Sequence, residues 1–252
     1  MSDGVELGKI VKSDSHVRYM CQVFGTGEVA APPHPTDFAF GSFVRIPLRA
    51  GPAPADVAAL IPAPFPSGDA LLPTPETDTW AVGVIYDTIL VNPAFGTLGP
   101  RLSNERQVEL FSPDYVSERA VLVAILFLGT LAIQAPALRD GRGNGQRGRH
   151  TTYAVRHGVP PVAPDLGAVV STLPDPEVRA FHYFADGGQP GGINPYLHMG
   201  YLPHVIAQDN PLLPMAVLQI IERLERMFPP NAALLSIVKR NFEWRLKVQT
   251  AG

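Results

Sequence analysis

Up to residue 158 the apolar positions come in short blocks that alternate with polar ones or run on continuously, as β-strands do. Residues 7–12 (LGKIVK) and 17–24 (VRYMCQVF) flank the polar Ser13-Asp14-Ser15, and this predicts a β-hairpin. A third strand is predicted over 42–47 (SFVRIP), after a Pro-containing crossing at 31–40. Residues 80–91 (WAVGVIYDTILV) form a fourth, ended by Asn92-Pro93. Residues 120–133 (AVLVAILFLGTLAI) read as a strand buried on both faces, bending at Gly129. Residues 151–156 (TTYAVR) give a sixth. Six short strands with turn signals between them predict a small closed barrel, because closure removes sheet edges.

Beyond Gly158 the pattern weakens under Pro160, Pro161, Pro164, Pro174 and Pro176. Residues 178–184 fit either one more strand or a short helix, and 186–196 (DGGQPGGINPY) read as a flexible joint. From residue 211 the period becomes helical. Leu213, Val217, Ile220, Ile221 and Leu224 share one face, with Glu222, Arg223, Glu225 and Arg226 opposite. Pro229-Pro230-Asn231 stops that helix and opens another through Leu234, Leu235, Val238, Phe242 and Leu246. The expected architecture is therefore α+β: a barrel over 1–158, an irregular joint over 159–210 and a C-terminal helical hairpin over 211–252. Residues 51–78 hold seven prolines and cannot enter a sheet interior, so they are expected to be an insertion loop with at most a short helical turn at 56–61. A surface excursion is expected over 101–115.

Composition narrows the function classes. Proline, at 27 of 252 residues, favours short elements joined by stiff loops. A net charge of −3 gives no global attraction to nucleic acid or anionic membrane. One cysteine, Cys21, excludes an intramolecular disulfide and a Cys-rich zinc site; its apolar neighbours predict a buried thiol. The polar start MSDGVE does not read as a signal peptide, and the 14-residue apolar run at 120–133 is shorter than the roughly 20 residues a spanning helix needs. A cytoplasmic protein without membrane association is expected.

Chemical motifs are few. Gly143-Asn144-Gly145-Gln146-Arg147-Gly148 matches G-x-G-x-x-G, but a dinucleotide site needs a helix to open there, and the β-branched residues that follow predict a strand. No P-loop pattern and no nucleophile elbow occurs. The loop at 139–149 carries Arg139, Arg142, Arg147 and Arg149 against Asp140, which makes it a candidate phosphate contact, although it has no aromatic residue to stack on bases. His198 and His204 are six residues apart rather than at the i, i+4 spacing of a zinc helix, and no third ligand is indicated. No metal and no cofactor is expected. An enzyme of unfamiliar type would have to draw on His182, His198 or His204 with Asp186.

Three segments carry a resemblance. Gly8-Lys9-Ile10-Val11 resembles the opening strand of the HAS-barrel, Phe38-Ala39-Phe40-Gly41-Ser42-Phe43-Val44 its aromatic-bearing G-x-x-V strand, and Trp80-Ala81-Val82-Gly83-Val84-Ile85-Tyr86-Asp87 the strand that returns across the barrel. That small β-barrel stands at the N-terminus of HerA-type DNA translocases and of ATP synthase ring subunits. The resemblance covers about residues 5–157. It implies a stand-alone barrel without the adjoining ATPase domain, whose place the joint and hairpin take, and no catalytic residue of the family maps onto this chain. The function it implies is a non-catalytic assembly or adaptor module, whose partner is an ATPase ring of HerA type or further copies of itself. Phe242 and Trp244 fall on different faces of the last helix, so they and Arg245 are the candidate partner contacts. The competing reading is a nucleic-acid-binding accessory protein, using the Arg loop and the basic stretch 239–247 with its four basic residues and one acidic residue.

Overall fold

The computed structural model describes residues 4–48, 78–91, 120–134, 152–184 and 196–250. Its core is a closed six-stranded antiparallel β-barrel followed by helices, the α+β architecture the sequence predicts. The strands are β1 (Glu6–Ser13), β2 (Arg18–Val23), β3 (Phe43–Leu48), β4 (Asp78–Val91), β5 (Ala120–Gln134), β6 (Thr152–His157) and β7 (Val169–Thr172). Around the ring the order is β1, β2, β5, β4, β3, β7 and back to β1. The expected β1–β2 hairpin is present, with Ile10 opposite Cys21, but Ser13 still pairs with Tyr19 and the turn lies at residues 14–17.

One ring position differs from the expectation. The strand that closes the barrel is β7, from the stretch expected to be an irregular joint, while β6 lies outside the ring. The cause is the length of β5. Residues Leu122 to Leu126 pair with β2, and the far half, from Gly129 to Gln134, runs past the barrel and pairs with β6 instead. The edges of β1 and β3 are left to be joined by β7, which pairs with both.

Gly129 stands where the two partners of β5 change over. A Cβ on it would lie 2.2 Å from the carbonyl oxygen of Arg156, so β6 reaches β5 only because this residue has no side chain. Gly129→Ala is therefore expected to lower stability by about 1–3 kcal/mol through the displaced strand. Urea unfolding midpoints check this; an unchanged midpoint would mean that β6 yields without cost.

Burial follows the sequence pattern. In β4 and β5 the runs from Ala81 to Tyr86 and from Val123 to Leu128 are buried on both faces. One face fills the barrel. Helices cover the other, which is why these strands read as unbroken apolar runs. Cys21 is fully buried, and desolvation pushes its thiol up to about 12, so it acts as a core residue.

Residues 178–184 resolve as both alternatives in succession: helix α1 (Asp175–His182), then a two-residue strand β8 (Tyr183–Phe184) paired with β9 (Tyr196–Leu197). Next come α2 (Leu202–Ile206), α3 (Leu213–Met227), a 3-10 turn at Pro229–Asn231 and α4 (Ala232–Thr250). Leu213, Val217, Ile220, Ile221 and Leu224 of α3 are all buried. The proline-rich segment, the excursion at 101–115, and the Gly/Arg loop with its G-x-G-x-x-G match fall outside the described residues. The next described element after that loop is the strand β6. No helix of the described residues is long and apolar enough to cross a membrane.

Candidate functional site

The last helix presents two apolar stripes where one would suffice for packing. At 3.6 residues per turn, Leu235, Val238, Phe242 and Leu246 fall within an arc of about 80°. This is the packed face. Leu235 is buried, Val238 and Phe242 pack against the core, and Phe242 and Leu246 line a cavity of about 120 Å³ together with Val205, Leu213 and Val217. A salt bridge of 2.7 Å from Lys239 Nζ to Glu222 Oε1 ties α4 to α3.

Leu234, Ile237 and Trp244 fall within a second arc of about 80°, centred about 120° from the first. They are 56%, 55% and 66% exposed, with the exposed Asn241 between them. Leu234 was expected on the packed face together with Leu235; consecutive helical residues stand about 100° apart, and only Leu235 points inward. The two aromatic candidates are thus separated: Phe242 is packed and Trp244 is exposed. Arg245 lies on the same helix, with its side chain outside the described residues. Arg139, Arg142, Arg147 and Arg149 are also outside them.

The histidines singled out in the sequence divide differently. His182 and His198 come together through a third, His157, which sequence reasoning passed over. The β8–β9 ribbon does this: the His198 N–H donates to the His182 carbonyl at 2.8 Å, which folds the 196–201 stretch back onto the end of β6. His157 Nε2 donates to the Phe181 carbonyl at 2.8 Å. Its Nδ1 must then accept, and it takes the Gly200 N–H and a hydrogen from His198 Nδ1, each at 3.0 Å. Likewise His182 Nδ1 donates to the Val178 carbonyl at 2.8 Å, and its Nε2 accepts the Tyr201 hydroxyl at 2.9 Å. Burial, above all, lowers His157 to about 4 and His182 to about 3. Both rings are neutral at pH 7. His182 and Tyr201 are fully buried, so the cluster fastens β6, α1 and the β9–α2 corner together. His204 stands apart and donates to the Phe127 carbonyl at 3.2 Å, while Asp186 is outside the described residues. Among the described residues no group of three or more His, Cys, Asp or Glu could hold a metal ion.

A further pairing left no trace in the sequence. Arg45 of β3 and Glu177 of α1, 8% and 6% exposed, form a buried ion pair at 2.6 and 2.7 Å.

No curated protein matches the chain. A family model described as "Domain of unknown function (DUF8166)" matches residues 1–50 and 72–251, most of the sequence, including the ring strands and the four helices of the described residues.

Proposed function

The chain belongs to the DUF8166 family, and we propose that it serves as a non-catalytic assembly module that docks a protein partner through the outward stripe of α4. The observation that carries the reading is the second apolar face on a helix already packed by its first. Leu234, Ile237 and Trp244 keep more than half of their surface in water where they stand, and covering them would return roughly 25 cal/mol for each Å² withdrawn from water. Tryptophan is among the residues that most often dominate an interface. The resemblance of the barrel strands to the HAS-barrel supplies the partner class: a subunit of a HerA-type ATPase ring.

The test uses the tagged full chain in its native host, with and without nuclease, beside the Leu234→Ser/Ile237→Ser/Trp244→Ser variant. Because the three side chains are exposed, the variant is expected to unfold within about 1 kcal/mol of wild type. A ring ATPase recovered by wild type after nuclease digestion, and lost by the variant, is the expected outcome. Recovery that disappears with nuclease would replace docking by nucleic-acid binding through the Arg loop and the basic end of α4. A bait that returns only itself would remove the connection to a motor.

A further inference from the structure

A cleft of about 520 Å³ opens between α1, α3 and the turn at 40–42. Its walls carry Arg179, Arg223 and Arg226 against one carboxylate, Asp175, in a chain whose net charge is −3. We propose that this cleft binds a phosphate-bearing small molecule of nucleotide size.

The walls are built rather than incidental. The Gly41 N–H donates to the Ile85 carbonyl at 2.8 Å, and the Ile85 N–H donates to the Ser42 carbonyl at 3.0 Å, which pins the turn onto β4. Gly41 has φ +83°, and a Cβ there would lie 2.8 Å from Gln219 Cβ. The turn therefore meets α3 as closely as glycine allows, and the left-handed backbone suits glycine as well.

Arg179 and Arg223 are held in place beforehand by other parts of the fold, and Arg226 by its own helix. Arg179 donates to the Met227 carbonyl and lies over the Phe228 ring, 5.4 Å from its centroid. Arg223 donates to Asp175 Oδ1 at 2.9 Å and lies 5.4 Å from the centroid of the Phe43 ring. Arg226 Nε donates to the Glu222 carbonyl at 3.3 Å. Each of these contacts engages one nitrogen of a group that carries five N–H donors, so most donors remain for a ligand.

Ligand class follows from charge, shape and size. A guanidinium fork matches the oxygens of a phosphoryl group, and three forks exceed what the two oxygens of a carboxylate can accept. The volume lies within the range of small-molecule sites. Phe40, 38% exposed at the rim, offers an aromatic face, and Ser42 and Gln219 add neutral polar groups for the rest of the molecule. The lining residues come from α1, α3 and the 40–42 turn, so the site stands independently of the α4 stripe.

Calorimetric titration of the full chain with ADP, inorganic pyrophosphate and a short single-stranded oligonucleotide tests the assignment. Saturable binding of ADP and pyrophosphate is expected, weakening with salt and falling about tenfold or more in Arg226→Gln. Arg226 is exposed, so that variant should melt as wild type does. Tighter binding of ADP than of pyrophosphate, with the difference lost in Phe40→Ala, supports a nucleotide; equal binding supports recognition of the phosphoryl group alone. Absence of saturation by either small probe at millimolar concentration would overturn the proposal. So would binding that Arg226→Gln leaves unchanged, or binding of the oligonucleotide alone.

Discussion

Glu177→Gln is expected to cost about 3–5 kcal/mol of folding stability, because it leaves the buried Arg45 guanidinium without its counter-charge. The geometry leaves little alternative. Arg45 Nη1 reaches both carboxylate oxygens of Glu177, the Arg45 Nε has no acceptor among the described residues, and the guanidinium lies 4.7 Å from the centroid of the Trp80 ring. Glutamine preserves the volume and one acceptor but removes the charge that makes burial of the guanidinium tolerable. The pair also joins barrel to helix, since Arg45 sits in β3 and Glu177 in the first turn of α1. The double replacement Arg45→Met/Glu177→Leu should recover most of the loss, because an apolar pair of similar volume carries no desolvation cost. Chemical denaturation of wild type, Arg45→Met, Glu177→Leu and the double variant closes the cycle, with Glu177→Gln measured beside it. A loss below about 1 kcal/mol in Glu177→Gln would mean that water reaches the guanidinium, as for a surface pair.

Local order and the closed barrel were legible in the sequence; which strand closes the ring was not. Strands β4 and β5 announce themselves through long β-branched runs, and α3 through its period, because each is dictated by residues close together in the chain. The closing strand β7 offers four residues, Val169-Val170-Ser171-Thr172, too short for any period to stand out. It belongs to the ring because the edges of β1 and β3 are unpaired, a condition set more than a hundred residues earlier. The site shows the same division. Helical geometry fixes that Leu234, Ile237 and Trp244 share a face, yet Leu234 reads with the packed residues until the structure shows which side of α4 is covered. No spacing links Arg45 to Glu177, 132 residues apart, or His157 to His198, 41 residues apart. The arginine cleft was equally hidden: Arg223 and Arg226 looked like the solvated face of α3, and only packing against α1 and the 40–42 turn sets them around a common space with Arg179.

The histidine cluster makes the fold sensitive to acid in a predictable window. In the unfolded chain both imidazoles titrate near 6.5; in the folded one, His157 is lowered to about 4 and His182 to about 3. Between these values the unfolded state holds protons that the folded state refuses, so stability falls as pH drops. The contribution is whole above pH 6.5 and is lost through about 4 for His157 and about 3 for His182. The slope approaches about 1.4 kcal/mol per pH unit for each histidine, so the two together remove on the order of 5 kcal/mol between pH 6.5 and 4.5. Geometry supplies the reason beyond burial. A proton added to His157 Nδ1 would remove the acceptor that the Gly200 N–H and His198 Nδ1 now use. At His182 a proton on Nε2 would require the Tyr201 hydroxyl to turn and accept, with the Arg223 charge also opposing it. Denaturation midpoints measured from pH 7.5 to 4.5 should therefore decline steeply below 6.5, and His182→Gln should reduce the slope by about one proton while lowering stability at pH 7.5. A flat profile over that interval, in wild type, would mean that the rings are solvated and that the fastening of β6 to α1 does not depend on their neutral form.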